Sequence, residues 1–343
     1  MICVFDEAQR NHDPETFIVS GKAQPSPEKP ERVDMLLQGV RQVGISVVAP
    51  PPIPVETLEL VHDARYLKFL STLWQRWSRL ADASPAPMAN VFALGRRGLP
   101  PVGYPASVGG QCGYHLGDGS SPVTAGTWDA ALASAATAAH GAGLLQQGEN
   151  RVYALCRPPG HHAAADVSAG FCYFNNAALA AELLTRAGRR TAILDIDVHH
   201  GNGTEAIFYS RADVLTVSIH ADPTRFYPFF WGYAGERGEA AGEGYNLNLP
   251  LPRGTGLKDY VPALDQALLR LAEFAPDVVV LAAGLDIAED DPFKGFAITT
   301  EDFYAIGRQI AGFGCPLLVV QEGGYPSVHL GANLASLLRG LTL

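Results

Sequence analysis

Thr191-Ala-Ile-Leu-Asp-Ile-Asp-Val-His-His-Gly-Asn-Gly203 decides the reading of this chain. Its first six residues, Thr191–Ile196, form a β-branched and apolar run that reads as a strand, with polar residues at the carboxyl end. Side chains alternate along a strand, so Asp195, Asp197 and His199 share a side. Three ionisable groups at a buried strand end are costly unless something compensates them. A metal ion does so naturally, and D-x-H offers two ligands of the kinds zinc takes. A capped strand end with salt-bridged carboxylates is the plainer alternative. It suits a lone Asp better than D-x-D-x-H-H-G-x-G.

Other apolar runs read as strands: Ile2–Phe5, Val152–Cys156, Val214–Ile219, Tyr245–Leu249, Val278–Ala283, Leu317–Gln321 and, more weakly, Ile45–Val48. Near-continuous apolar runs such as Val278–Leu281 imply burial on both faces. Helical stretches alternate with them at Pro30–Val43, Arg65–Leu80, Thr127–Gln147, Asn176–Ala187, Leu257–Phe274, Thr300–Phe313 and Ser327–Leu341. This alternation predicts a single α/β domain over 1–343, with a mostly parallel eight-stranded sheet and helices on both faces. In such sheets ligands collect beyond the carboxyl ends of the strands.

Three further strand ends carry chemistry. Asp286, in Gly284-Leu-Asp286, follows an apolar run and a glycine and would complete a two-Asp, one-His open metal site. Glu289, Asp290 and Asp291 compete with it but lie farther out, where solvation is expected. Arg157-Pro-Pro-Gly-His-His162 is a stiff loop presenting two imidazoles, either as metal ligands or, better, as acid–base groups. Glu322-Gly-Gly-Tyr325 presents a phenol that is either core or an oxyanion donor.

Hydrophobic residues make up 47% of the 343 and charged residues 17%, enough to cover both faces of a large sheet. The net charge of −10 argues against a nucleic-acid partner and suits a cationic substrate. The five cysteines are odd in number and lack C-x-x-C spacing, which points to a reducing compartment. No signal-peptide pattern and no apolar run of membrane-spanning length is evident, so a cytoplasmic protein with no membrane partner is expected. Residues 81–122 are rich in Gly and Pro and lack periodicity. They form either a floppy insertion or an ordered loop; Val91, Phe92, Leu94 and Tyr104 favour the ordered reading, with an oligomer contact or an active-site wall as its role. The aromatic cluster Phe226–Trp231 is too apolar for an ordinary exposed loop.

Together, Arg157–Ala163, Gly170-Phe-Cys-Tyr-Phe-Asn-Asn176, Asp195–Gly203, Val217-Ser-Ile-His220, Gly284–Asp286 and Glu322–Tyr325 resemble the histone deacetylase superfamily, with its arginase–deacetylase fold. The resemblance implies zinc held by Asp197, His199 and Asp286. It implies His161 and His162 beside the zinc water, with His162 as general base and acid, and Tyr325 polarising the carbonyl. It further implies potassium held by Asp195, Ser218 and main-chain groups including Ile219, and a substrate tunnel flanked by Phe171 and Tyr227. Within the superfamily the chain is most similar to bacterial acetylpolyamine amidohydrolases. The long insertion and the Asp222–Tyr233 loop carry that similarity. It implies a homodimer built on the insertion, an acetylated polyamine as substrate, and Asp118 and Glu15 as acids that attract its distant ammonium. Asn202 departs from the family's frequent Asp beside the second tandem histidine, which should make His162 less basic. The rival readings are a deacetylase of acetyl-lysine in proteins and a non-catalytic metal- or acyl-binding protein. The tandem histidines and Tyr325 speak against the second rival.

Overall fold

The computed structural model describes residues 1–93 and 103–342. In chain order its elements are β1 (Ile2–Val4), β2 (Thr16–Val19), β3 (Lys22–Pro25), α1 (Glu31–Gln42), β4 (Ser46–Val48), α2 (Ala64–Trp77), α3 (Val108–His115), α4 (Thr127–Gln146), β5 (Arg151–Ala154), α5 (Asn176–Arg186), β6 (Thr191–Asp195), α6 (Asn202–Phe208), β7 (Val214–Ala221), β8 (Asn246–Leu251), α7 (Leu257–Phe274), β9 (Val278–Ala283), α8 (Thr300–Ala311), β10 (Leu317–Gln321) and α9 (Leu330–Leu341). All eight expected strands form one sheet in the order β4-β1-β5-β10-β9-β6-β7-β8. Each pairing in it is parallel, so the sheet is wholly rather than mostly parallel.

Alternation divides the central strands between two cores. Val279, Leu281 and Ala283 of β9 face one layer with Ala192 and Leu194 of β6, packed by α1, α7, α8 and α9. Val278, Val280 and Ala282 face the other with Ile193, packed by α2, α4 and α5. Apolar residues at every position of β9 follow from this double burial.

A hairpin, α3 and the short helix α6 were not expected. β2 and β3 form a separate antiparallel hairpin whose turn residues, Ser20 and Gly21, both have positive φ (50° and 73°), as a two-residue hairpin turn requires. Within the insertion, α3 forms despite two adjacent glycines: Ser107 Oγ accepts the Gly110 N–H at 3.2 Å, and Cys112 is buried. The described part of the insertion is packed, with Ala93 N donating to Gly113 O at 2.7 Å; Leu94 and the rest of 94–102 lie outside the described residues.

Candidate active site

The four motif-bearing strands, β5, β10, β9 and β6, are consecutive in the sheet. Their carboxyl ends therefore deliver their loops to one crevice. Beyond β6 the backbone turns on its own carboxylates: Asp195 Oδ1 accepts Asp197 N and Asp197 Oδ1 accepts His199 N, each at 2.9 Å. Asp286 arrives from β9 and accepts Val198 N at 3.0 Å. His199 Nδ1 then lies 3.1 Å from Asp197 Oδ1 and 3.2 Å from Asp286 Oδ2. One ligating atom from each of the three falls within 4.8 Å of the others, and all three residues are buried. Burial pushes the Asp286 carboxyl up to about 6, with the Asp197 charge adding to it. Burial opposes charging of His199, but the two carboxylates outweigh it and lift the ring to about 9. Two buried carboxylates facing one ring nitrogen make a site for positive charge. Its O, N, O donor set is one that zinc takes.

The approach of three chains to this point demands glycine. A Cβ on Gly284 would stand 2.3 Å from Asp197 Oδ2, and one on Gly323 would stand 2.2 Å from Asp286 Oδ2.

The loop after β5 brings both tandem histidines here, with ring centroids 4.0 Å apart. His161 Nδ1 lies 2.9 Å from Asp195 Oδ2, and His162 Nδ1 lies 2.7 Å from Asn202 Oδ1. Both partners are acceptors, so Nδ1 donates on each ring and His162 Nε2 keeps its lone pair. Burial works against a charge on His161, yet Asp197 and Asp195 lift it to about 10. Burial, with His161 adding to it, drives His162 well below its ordinary value. Glu322 Oε2 accepts Gly160 N at 2.6 Å and His161 N at 3.1 Å, fixing the loop from beneath.

Tyr325 is buried among aromatic rings, 5.6 Å from Phe171 and 4.9 Å from Phe293, with the Arg32 guanidinium 4.9 Å over its ring. Arg32 also donates to Gly324 O and Glu322 O, both at 2.7 Å. Phe171 packs on Phe17 of the hairpin at 5.3 Å, and Tyr227 meets His162 edge-on at 5.0 Å. The predicted wall residues Phe171 and Tyr227 thus come to the site. Phe226, from the aromatic cluster noted in the sequence, stacks on His199 at 5.0 Å, and Phe17 and Phe293 join the walls without having been read from the sequence.

Asp118 receives Tyr227 OH at 2.7 Å and Gly170 N at 3.2 Å on Oδ2, and Ser120 N at 2.8 Å on Oδ1. Glu15 is exposed, and its side chain makes no hydrogen bond among the described residues. Asp195 and Ser218 are register partners across β6 and β7, with Ile219 next along β7; Ser218 Oγ lies 2.8 Å from His220 Nδ1.

The expectation that Asp291 is solvated is overturned: the residue is 2% exposed, and its carboxylate accepts two backbone N–H groups at 2.9 and 3.0 Å. Asp290, the next acid, lies at the surface beside His329. A turn after Ala288, closed by Asp291 N donating to Ala288 O at 3.2 Å, brings the Asp291 carboxylate to the Tyr325 amide.

A family model described as the histone deacetylase domain matches residues 26–341. The chain belongs to the histone deacetylase family. The family's domain therefore spans nearly the whole chain, and relatives match beyond it at the amino end. Acetylpolyamine amidohydrolase 1 of Pseudomonas aeruginosa is 42% identical over 342 residues, covering 99% of this chain and 98% of that protein. An acetylpolyamine amidohydrolase of Mycoplana ramosa is 42% identical over 343 residues, covering 99% of both. The crystal structure of acetylpolyamine aminohydrolase from Burkholderia pseudomallei superimposes with a TM-score of 0.95 at 42% identity, covering 99% of this chain and 98% of that one. These relatives are named as amidohydrolases. Among the described residues, no helix is long and apolar enough to cross a membrane.

Proposed function

We propose that this chain is a zinc-dependent amidohydrolase that removes acetyl groups from N-acetylated polyamines such as acetylputrescine, acetylcadaverine and acetylspermidine, releasing acetate and the free amine. The observation that carries the reading is the meeting of Asp197, His199 and Asp286 with His161, His162 and Tyr325 beyond four adjacent strands. Two buried carboxylates match the charge of a divalent ion, and with one imidazole they leave the open fourth position of a catalytic centre.

Zinc held there would supply Lewis acidity, polarising the amide carbonyl and lowering the pKa of a water molecule. His162 Nε2, free because Nδ1 is spent on Asn202, takes the proton of the attacking water. His161, held by Asp195, lies beside it as the second polar wall. The Tyr325 hydroxyl donates to the oxygen on which negative charge grows. His162 returns that proton to the departing nitrogen, and the second proton of the water, lost as the new acid ionises, passes to the amine, so amide and water become acetate and an ammonium. Phe171 and Tyr227 exclude water and admit only a slender chain. Potassium bound by Asp195, Ser218 and the Ile219 main chain would brace the β6 and β7 ends from behind.

The acetylpolyamine substrate rests on the relatives' named activity and on the net charge of −10. Exposed Glu15, two residues before Phe17, and Asp118 behind Tyr227 supply negative charge to draw a distant ammonium. Residues 81–122 are read as the dimer and tunnel-mouth loop of a homodimer. Unpaired cysteines support a cytoplasmic setting.

The test is reconstitution. Chelator-stripped protein should regain acetate release from acetylputrescine at about one zinc per chain, and Asp286→Ala should neither hold zinc nor turn over. Protein that binds zinc yet hydrolyses no acetylated amine would instead be the non-catalytic binding protein.

A further inference from the structure

The chain that presents Tyr325 is soft. Gly323 and Gly324 precede it, and Gly324 has a φ of +111°, so backbone stiffness does not fix the phenol. Bonds must. Leu285 N donates to Gly323 O at 3.0 Å and Gly323 N to Asp197 Oδ2 at 2.7 Å, which anchors the first glycine to the metal-ligand loops. Arg32 holds Gly324 O. Among the described residues the amide of Tyr325 has one partner, Asp291 Oδ2 at 3.0 Å. The other oxygen of the same carboxylate accepts the Phe293 amide at 2.9 Å. Phe293 is the ring that meets the Tyr325 ring edge-on at 4.9 Å and His199 at 5.2 Å. At the surface the preceding residue repeats the pattern: Asp290 Oδ2 takes His329 N at 3.2 Å and lies 3.0 Å from His329 Nδ1. Consecutive carboxylates thus bind the Tyr325 loop inside and outside.

We propose that Asp291 is a positioning residue for the reaction: its two oxygens lock the Tyr325 main chain to the Phe293 wall and so fix where the phenol hydroxyl meets the acetyl carbonyl. The inference rests on the reading of Tyr325 as oxyanion donor. Asp291 bonds no metal ligand; the group it places is the Tyr325 phenol, and Phe293 is the wall it places it against. Removal of Asp291 should therefore cost turnover, not substrate or metal binding.

A double-mutant cycle on the zinc-loaded full chain tests this. Asp291→Asn keeps the size but replaces one acceptor with a donor that opposes an N–H. It should lower kcat on acetylputrescine by about tenfold or more, with KM within about twofold and the zinc content unchanged. In a Tyr325→Phe background the same change should cost nothing further, because the group being positioned is gone. If Asp291→Asn slows Tyr325→Phe by as much as it slows the wild type, the positioning role is overturned while the oxyanion role stands. If Tyr325→Phe alone leaves kcat unchanged, the oxyanion reading falls and takes the proposal with it. If Asp291→Asn does not fold, Asp291→Ser goes through the same cycle. Failure of both variants to fold would overturn the proposal in favour of a purely structural carboxylate.

Discussion

His162 and Asn202 show how one side chain sets the chemistry of its neighbour. An amide oxygen 2.7 Å from Nδ1 fixes the tautomer but adds no charge. Asn202→Asp would place a carboxylate there, stabilise the imidazolium and raise the His162 pKa. The acidic limb of the kcat/KM profile should then move to higher pH, by about one unit or more; an unmoved limb would mean that His162 does not titrate as the base. These residues were legible in the sequence because they sit in dense polar runs at strand ends, where burial makes polarity expensive. Asp291, Phe17 and Phe293 were not legible. Each is a single residue whose surroundings come from distant segments, and no local spacing distinguishes Asp291 inside from Asp290 outside.

Elements are joined by a buried charge pair on each side of one acid. Glu28 lies just before α1 and bonds Arg32 of that helix at 2.6 Å and Arg157, after β5, at 2.8 Å, with all three side chains fully buried. Arg157 also donates to the main chain at Gln9 and His12, and Arg32 to the Tyr325 loop, so Glu28 couples three segments around the site. Glu28→Gln would leave two guanidinium groups without a counter-charge and should cost about 3–5 kcal/mol in urea unfolding at neutral pH. Burial pushes the Glu28 carboxyl up, but Arg157 and Arg32 outweigh it and hold it below its ordinary 4.5. Its contribution is therefore complete above that pH and disappears as pH falls through the lowered value. The eight strands were legible because buried parallel strands are long apolar runs. The missed elements break that rule: β2 and β3 are largely exposed, α3 contains three glycines in eight residues, and α6 opens on Asn-Gly after Gly201. Tertiary packing forms these where propensity does not.

For the whole molecule, acid is the predictable weakness. Burial drives His12 down to about 3 and His62 down to about 4 from an ordinary 6.5. The His62 ring is neutral by its bonds: Nδ1 faces Ala164 O at 3.0 Å, and Nε2 accepts Asn175 N at 2.9 Å. Both rings are depressed in the fold, so their contribution is complete above about pH 6.5 and falls as pH drops towards 4, by up to about 1.4 kcal/mol per pH unit for each ring. Urea unfolding should show lower stability at pH 5 than at pH 7, and a smaller difference in His62→Gln; equal stabilities would contradict the buried neutral rings. At this scale the sheet, its two helical layers and the four converging strand ends were legible, because the order of motifs along the chain already implies one crevice. The central claim, that the crevice hydrolyses small acetylated amines, is tested most directly by kcat/KM with zinc and potassium present, measured side by side on acetylputrescine, acetylcadaverine, acetylspermidine and an acetyl-lysine peptide. The account predicts that the small amines are favoured by about tenfold or more, as expected when narrow walls and an acidic approach select the substrate. Faster turnover of the peptide would contradict it.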